Sequence, residues 1–131
     1  MTNAVPIALV GHCGPDMMML TTAMRRISPE SPIMKANDAS SLEQALASRA
    51  VLLVNRVLDG EFGGSVGDQG ISLICSLVQR NPAPAMLLIS NYEESQEQAE
   101  AAGAMPGFGK SQLYDEATAL RVQAALRRAG A

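Results

Sequence analysis

Continuous apolar runs recur along the chain, and the segments between them carry apolar residues at the spacing of one helix face. An apolar run without polar alternation is typical of a strand that is covered on both faces, as in a parallel sheet. Five runs are predicted as strands: PIALV at 6–10, SPIMKA at 31–36, AVLLV at 50–54, AMLLIS at 85–90 and a weak fifth around GFGK at 107–110.

Helix signals follow the first two strands. Asp16 is predicted to cap the first helix, and the basic pair Arg25 and Arg26 falls in its last turn, where the helix dipole favours positive charge. Ser40 followed by Glu43 predicts a capping box for the second helix.

The remaining strands are also followed by helical patterns. GISLICSLVQR at 70–80 predicts the third helix, and Asn91 with Glu94 predicts the start of a fourth that ends at Gly103. The fifth helix is predicted in LYDEATALRVQAALRRAG, with one apolar stripe formed by Leu113, Ala117, Leu120 and Ala124. Strict alternation of strands and helices predicts an α/β fold, a flavodoxin-like (βα)5 doubly wound parallel sheet of order 2-1-3-4-5.

Composition narrows the class of protein. The 131 residues fit a single domain at 1–131, and 47% hydrophobic with 18% charged residues describe a globular chain. A net charge of −3 and few aromatic side chains argue against nucleic acid as a direct partner. Two cysteines, no basic leader and apolar runs far shorter than about 20 residues predict a cytoplasmic protein without a membrane segment.

Candidate functional residues follow the predicted strands. In a doubly wound sheet, ligands bind outside the carboxyl ends of the strands where the strand order reverses, here between strands one and three. His12 and Cys13 follow the first strand, Asn55 follows the third, Ser90 ends the fourth, and Lys110 follows the fifth. These five residues are the predicted site.

Three stretches resemble the receiver domains of two-component response regulators, and the similarity of pattern extends over essentially the whole chain. AEAAGAMPGFGK resembles the family's turn into strand five and its lysine, PAMLLISNYEE is similar to the fourth strand with its terminal Ser or Thr, and AVLLVNRVLDG is similar to the third strand. The resemblance implies a signalling role, and it puts Ser90 and Lys110 where the family contacts a phosphoryl group.

The same resemblance implies that the reaction site is degenerate. It puts Asn55 at the phosphoacceptor aspartate and His12 and Cys13 at the acidic pair that holds a divalent cation. A neutral amide cannot form an acyl phosphate, and hard Mg²⁺ prefers carboxylate oxygens, so neither phosphorylation nor a metal or cofactor is expected. The family's strand-five aromatic falls on Gly107 at strict spacing, with Phe108 one place later.

The adjacent His12 and Cys13 permit three hypotheses. A cysteine phosphatase would need an arginine where this chain has Met19, which disfavours a thiolate nucleophile. A soft-metal site with Asp16 or Asp59 lacks the usual ligand spacing. The favoured hypothesis is structural, with Cys13 as a small, partly buried side chain and no enzymatic activity.

Lys110 and Asp59 leave further alternatives. Without the family's carboxylates, Lys110 and Ser90 are candidates for anion binding, unless Asp16 or Asp59 turns in to pair with the lysine. Asp59 is also the nearest substitute acceptor, but it lies four residues beyond Asn55, where phosphoryl transfer would lack its geometry.

Two functions follow as hypotheses. The first is a receiver-like module that signals through protein contacts on the face of the fourth helix, fifth strand and fifth helix, with a second copy as another candidate partner. The second is a small-molecule or anion binder in which the glycine-rich loop at 56–70 is mobile and acts as a lid. No output domain follows within these residues, which leaves a lone adaptor or a domain of a longer protein as alternatives.

Overall fold

The apolar runs form one parallel sheet in the computed structural model, which describes residues 4–63 and 66–130. The strands are β1 (Ile7–Val10), β2 (Ile33–Ala36), β3 (Val51–Asn55), β4 (Met86–Ile89) and β5 (Met105–Phe108). Their order is β2-β1-β3-β4-β5, so the predicted doubly wound sheet of order 2-1-3-4-5 is confirmed.

A helix follows every strand, as the alternating pattern predicts. The helices are α1 (Gly14–Ile27), α2 (Ala39–Ala47), α3 (Gly70–Leu77), α4 (Glu93–Ala102) and α5 (Glu116–Gly130), and a short 3-10 turn (Lys110–Gln112) precedes α5. Among the described residues, no helix is both long enough and apolar enough to cross a membrane.

Successive residues of each strand point to opposite faces of the sheet, which divides the core into two layers. Ile7 and Leu9 of β1 pack with the buried faces of α1 and α5. Ala8 and Val10 of the same strand pack with α2, α3 and α4. The helices therefore cover both faces and leave the carboxyl ends of β1, β3, β4 and β5 to form the candidate site.

Three predicted helix caps are wrong. α4 begins at Glu93 after Tyr92 and has no side-chain cap, so the predicted cap by Asn91 and Glu94 is absent. α1 begins at Gly14, so Asp16 lies inside its first turn instead of capping it. α2 begins at Ala39 and is capped by Asp38, whose carboxylate accepts the Ser41 N–H at 2.7 Å, so the predicted Ser40–Glu43 box is absent. The displacement of Asp16 matters for the site, because its carboxylate is free to face another element.

The last third of the chain also departs from its sequence pattern. β5 begins at Met105, earlier than the predicted 107–110, because Pro106 and Gly107 interrupt its apolar run. Leu113 precedes α5, and Leu120 is 57% exposed, so the predicted stripe on this helix is wrong. The buried residues of α5 are Thr118, Val122 and Ala125.

The loop after β3 makes packing and backbone contacts over its described residues, which favours an ordered segment there over the expected mobile one. Leu58 and Phe62 are buried in the core under α2 and α3. The Leu58 N–H donates to the Asp68 carbonyl at 2.7 Å, and the Glu61 N–H donates to the Asn37 carbonyl at 3.1 Å. Gly64 and Ser65 lie outside the described residues.

Candidate functional site

A crevice of about 450 Å³ opens at the carboxyl ends of β3, β4 and β5. Asn55, Ser90 and Lys110 line it together, so three of the five predicted site residues come together in space. Arg56 and Tyr92 line it as well, with the Arg56 guanidinium 5.1 Å from the centre of the Tyr92 ring. Sequence reasoning missed this cation–π pair, because its members lie on loops after two different strands.

Asn55 acts as a hydrogen-bond donor at the end of β3. Its Nδ2 group donates to the Gly11 carbonyl at 3.0 Å and to the Val57 carbonyl at 2.8 Å. The Asp59 N–H donates to the same Gly11 carbonyl at 2.9 Å. The amide therefore ties the end of β1 to the loop after β3, a role that an aspartate carboxylate, which only accepts, cannot perform.

Lys110 is paired, which is one of the two alternatives that the sequence leaves open. Its Nζ lies 2.5 Å from the Asp16 Oδ2, and about a quarter of each side chain is exposed. The hydrogen bond from Lys110 is the main reason that the pKa of Asp16 lies below its usual value. The lysine charge is thus already compensated, which weakens the case for an anion site at Lys110.

We expect the Asp16→Asn variant to expose the lysine charge. Phosphate should then shift the backbone NMR signals of Ser90 and Lys110 with an affinity about tenfold above that of the wild type, while the free energy of unfolding falls by about 1 kcal/mol. Asp115→Asn is the control. It makes the same charge change at an exposed residue that has no ion pair among the described residues. Equal phosphate shifts in both variants would contradict a local role for Asp16.

His12 is fully buried and does not line the crevice. Its Nε2 lies 2.9 Å from the Leu53 carbonyl, which identifies Nε2 as the protonated nitrogen because a carbonyl only accepts. Burial lowers its pKa to about 4, so the ring is neutral at pH 7. Asn37 fixes this turn by accepting the Gly11 N–H at 3.1 Å and donating to the His12 carbonyl at 2.9 Å.

Cys13 is exposed, which corrects the expectation of a partly buried thiol. It precedes α1 while His12 turns into the protein, so the two adjacent side chains do not converge. Within residues 4–63 and 66–130, no group of three or more His, Cys, Asp or Glu side chains could hold a metal ion. Asp59 is exposed and belongs to neither ion pair found there.

Gln96 of α4 lies against Gly107, the residue to which the sequence resemblance assigns an aromatic side chain, because a Cβ added at Gly107 would lie 2.7 Å from the Gln96 Oε1. Its Nε2 group donates to the carbonyls of Leu88 at 2.9 Å, Ser90 at 3.1 Å and Phe108 at 3.3 Å. A Cβ added at Gly107 would lie 2.2 Å from the Leu88 carbonyl oxygen, so no larger side chain fits at Gly107. Phe108 points to the other face of the sheet and is 1% exposed.

The same fold occurs in receiver domains of known structure. The signal receiver domain of a DNA-binding response regulator from Colwellia psychrerythraea matches with a TM-score of 0.70 and 16% identity over 94% of this chain and 98% of that one. A response regulator from Thermotoga maritima matches with a TM-score of 0.69 and 14% identity over 95% and 98%. An orphan response regulator of H. pylori matches with a TM-score of 0.66 and 13% identity over 97% and 100%.

Comparison of the sequence with known proteins identifies no family for this chain. No family model matches the chain, and no curated protein matches it. The structural likeness therefore establishes a receiver fold, and any function has to be argued from the residues at the carboxyl ends of the strands.

Proposed function

We propose that this protein is a receiver-like signalling module that acts through protein contacts and carries no phosphoryl group on an aspartate. The observation that carries the proposal is the Asn55 amide, which donates to two backbone carbonyls where a phosphoacceptor would have to present a free carboxylate oxygen. Asn55 is thus a structural link between β1 and the following loop.

The surroundings of Asn55 support the same conclusion. Lys110, the cation that would neutralise a phosphoryl group, is held by Asp16. The neutral His12 ring is buried against Leu53, so it offers no charged oxygen to a hard cation. Three groups on which aspartyl phosphorylation depends are therefore replaced or engaged elsewhere.

The proposed contact surface is the face of α4, β5 and α5. Its apolar and charged groups are accessible, with Leu120 more than half exposed and the four glutamates of α4 on the surface. Arg121 donates to the Gly107 carbonyl at 2.5 Å, which occupies a backbone acceptor on the edge strand. That bond favours a partner that binds side chains over one that adds a strand.

The Asn55→Asp variant tests the proposal. We expect no phosphorylation by acetyl phosphate with Mg²⁺, and we expect the free energy of unfolding at pH 7 to fall by about 1–3 kcal/mol. The reason is that a carboxylate would lose both donated bonds and would face the carbonyl oxygens of Gly11 and Val57. Intact-mass spectrometry measures the phosphorylation, and urea denaturation measures the stability.

Asn91→Asp is the matched control, since it makes the same chemical change at the end of the next strand. The Asn91 Oδ1 accepts hydrogen bonds from the N–H and hydroxyl of Ser111, and an aspartate retains that acceptor. We therefore expect its stability to stay near that of the wild type. Phosphoryl transfer to Asn55→Asp would show that the first loop still supports the reaction, and a Mg²⁺-dependent response of the wild-type signals of Asn55 and Lys110 to acetyl phosphate would refute the proposal. Saturable nucleotide shifts in the wild-type crevice would favour the small-molecule binder.

A further inference from the structure

A second concave surface lies at the amino-terminal edge of the sheet, opposite the crevice. This groove, of about 710 Å³, is formed where α2, α3 and α5 end and where the chain enters β3 and β4. Its floor is apolar and consists mainly of alanines and prolines, among them Ala50, Pro84 and Ala85. Three arginines, Arg49, Arg80 and Arg128, lie around it with a single carboxylate, Glu43.

Arg80, one of the arginines at the rim of the groove, already binds a carboxylate. Arg80 donates to Glu43 through both terminal nitrogens, with the Nη1 to Oε1 distance at 2.9 Å. This paired geometry is the one in which a guanidinium recognises a carboxylate best. Over residues 4–63 and 66–130, neither Arg49 nor Arg128 makes an ion pair, so two guanidinium groups remain available beside the floor.

Arg49 has a backbone conformation that its side chain does not favour. Its φ is +55°, and it follows Ser48, the C-cap residue of α2, in the position that glycine usually occupies. Two hydrogen bonds close this turn. The Arg49 N–H donates to the Leu46 carbonyl, and the Ala50 N–H donates to the Ala45 carbonyl, each at 3.1 Å. Because glycine would close the same turn with less strain, the presence of arginine is consistent with a use for its side chain.

We propose that this groove binds an acidic segment of a partner protein, in which two carboxylates pair with Arg49 and Arg128 and short aliphatic side chains rest on the apolar floor. We choose an acidic partner because its charge is opposite to that of the groove. Three arginines and one carboxylate give the groove an excess of positive charge, although the net charge of the chain is −3. No aromatic ring lies among its described lining residues, which disfavours the stacking of nucleic-acid bases.

A second copy of this chain is a weaker candidate. The groove carries three arginines and one carboxylate, so a dimer in which two copies of this groove face each other would place like charges together. The groove is also separate from the crevice, since it lies at the other ends of the strands. The proposal consequently does not depend on the proposed signalling function.

NMR titration with the peptide acetyl-Glu-Leu-Glu-Ala-Leu-Glu-amide tests the proposal. We expect saturable backbone shifts around Arg49, Ala50, Ala85 and Arg128, and none with a peptide in which glutamine replaces each glutamate. The Arg128→Ala variant should bind about tenfold more weakly or worse. Arg127→Ala, which removes the same charge from the neighbouring residue outside the groove, should bind like the wild type.

Arg49→Gly separates binding from folding. We expect it to weaken peptide binding about tenfold while the thermal midpoint stays unchanged or rises by about 2–4 °C, because glycine relieves the positive φ. A lower midpoint with unchanged binding would overturn the proposal, since Arg49 would then serve the fold. Three other results would also overturn the proposal. They are an absence of shifts with the acidic peptide, tighter binding of an oligothymidylate than of the peptide, and groove shifts that depend only on protein concentration, as self-association would give.

Discussion

The Phe108→Ala variant is expected to lose about 3–5 kcal/mol of its free energy of unfolding, the usual cost of removing a fully buried aromatic ring. Phe108 is 1% exposed and belongs to the core cluster that also contains Met24 and Val122, between the sheet and the helices α1 and α5. A ring that moved between buried and exposed positions to transmit a signal would tolerate truncation far better. Urea denaturation of the variant provides the measurement.

Two further variants make the result specific. Phe108→Leu keeps most of the buried volume and should cost less than half as much as Phe108→Ala. Tyr114→Ala removes an aromatic ring that is 61% exposed and contacts Arg26, so its effect should stay within about 1 kcal/mol. A loss below about 1 kcal/mol in Phe108→Ala would show that the ring is not part of the fixed core.

Protonation of His12 alone is expected to lower the free energy of unfolding by about 2 kcal/mol at pH 5. The loss should reach roughly 3 kcal/mol once the pH is below the pKa of both the folded and the unfolded state. The unfolded chain takes up a proton on this histidine near pH 6.5, whereas burial holds the pKa of the folded state at about 4. Protons therefore favour the unfolded state as the pH falls from 6.5 to about 4. Below that pH, both states carry the proton and the loss stops growing.

His12→Gln tests the assignment, since a glutamine can still donate to the Leu53 carbonyl but does not titrate. The chain has one histidine, so the variant should lose the change in stability between pH 7 and pH 5. Asp16 acts at lower pH, because the hydrogen bond from Lys110 holds the pKa of this carboxyl below its ordinary value and its contribution is lost only as that carboxyl is protonated. An unaltered pH profile in His12→Gln would disprove the assignment.

The sequence predicts the sheet well, because each central strand is a short, wholly apolar run that only a doubly covered sheet can bury. Val51–Val54 and Met86–Ile89 have no exposed residue. Helix starts are less predictable, because several polar residues compete to cap the same helix. Asp38 caps α2 in preference to Ser40, and a bridge between Asp38 and Glu61 holds this residue extended, a contact that local sequence does not reveal.

Only part of the candidate site follows from the sequence. Asn55, Ser90 and Lys110 could be placed together because they end or follow neighbouring strands. The pairing of Lys110 with Asp16 could be named only as an alternative beside Asp59, because it joins residues 94 positions apart and requires α1 to begin before Asp16. Such pairings depend on where helices begin, which is the least certain part of a pattern-based prediction.

The Gln96 side chain joins α4 to two strands. Its amide donates to the carbonyls of Leu88 on β4, Ser90 just after β4 and Phe108 on β5. A helix held in this way cannot shift without breaking its own hydrogen bonds to the sheet. Association with a partner at α4 would then proceed as the docking of two preformed surfaces, at a rate set by diffusion and by the charge of the helix instead of by a slow rearrangement. Added salt should consequently alter how fast such a complex forms more than how long it lasts.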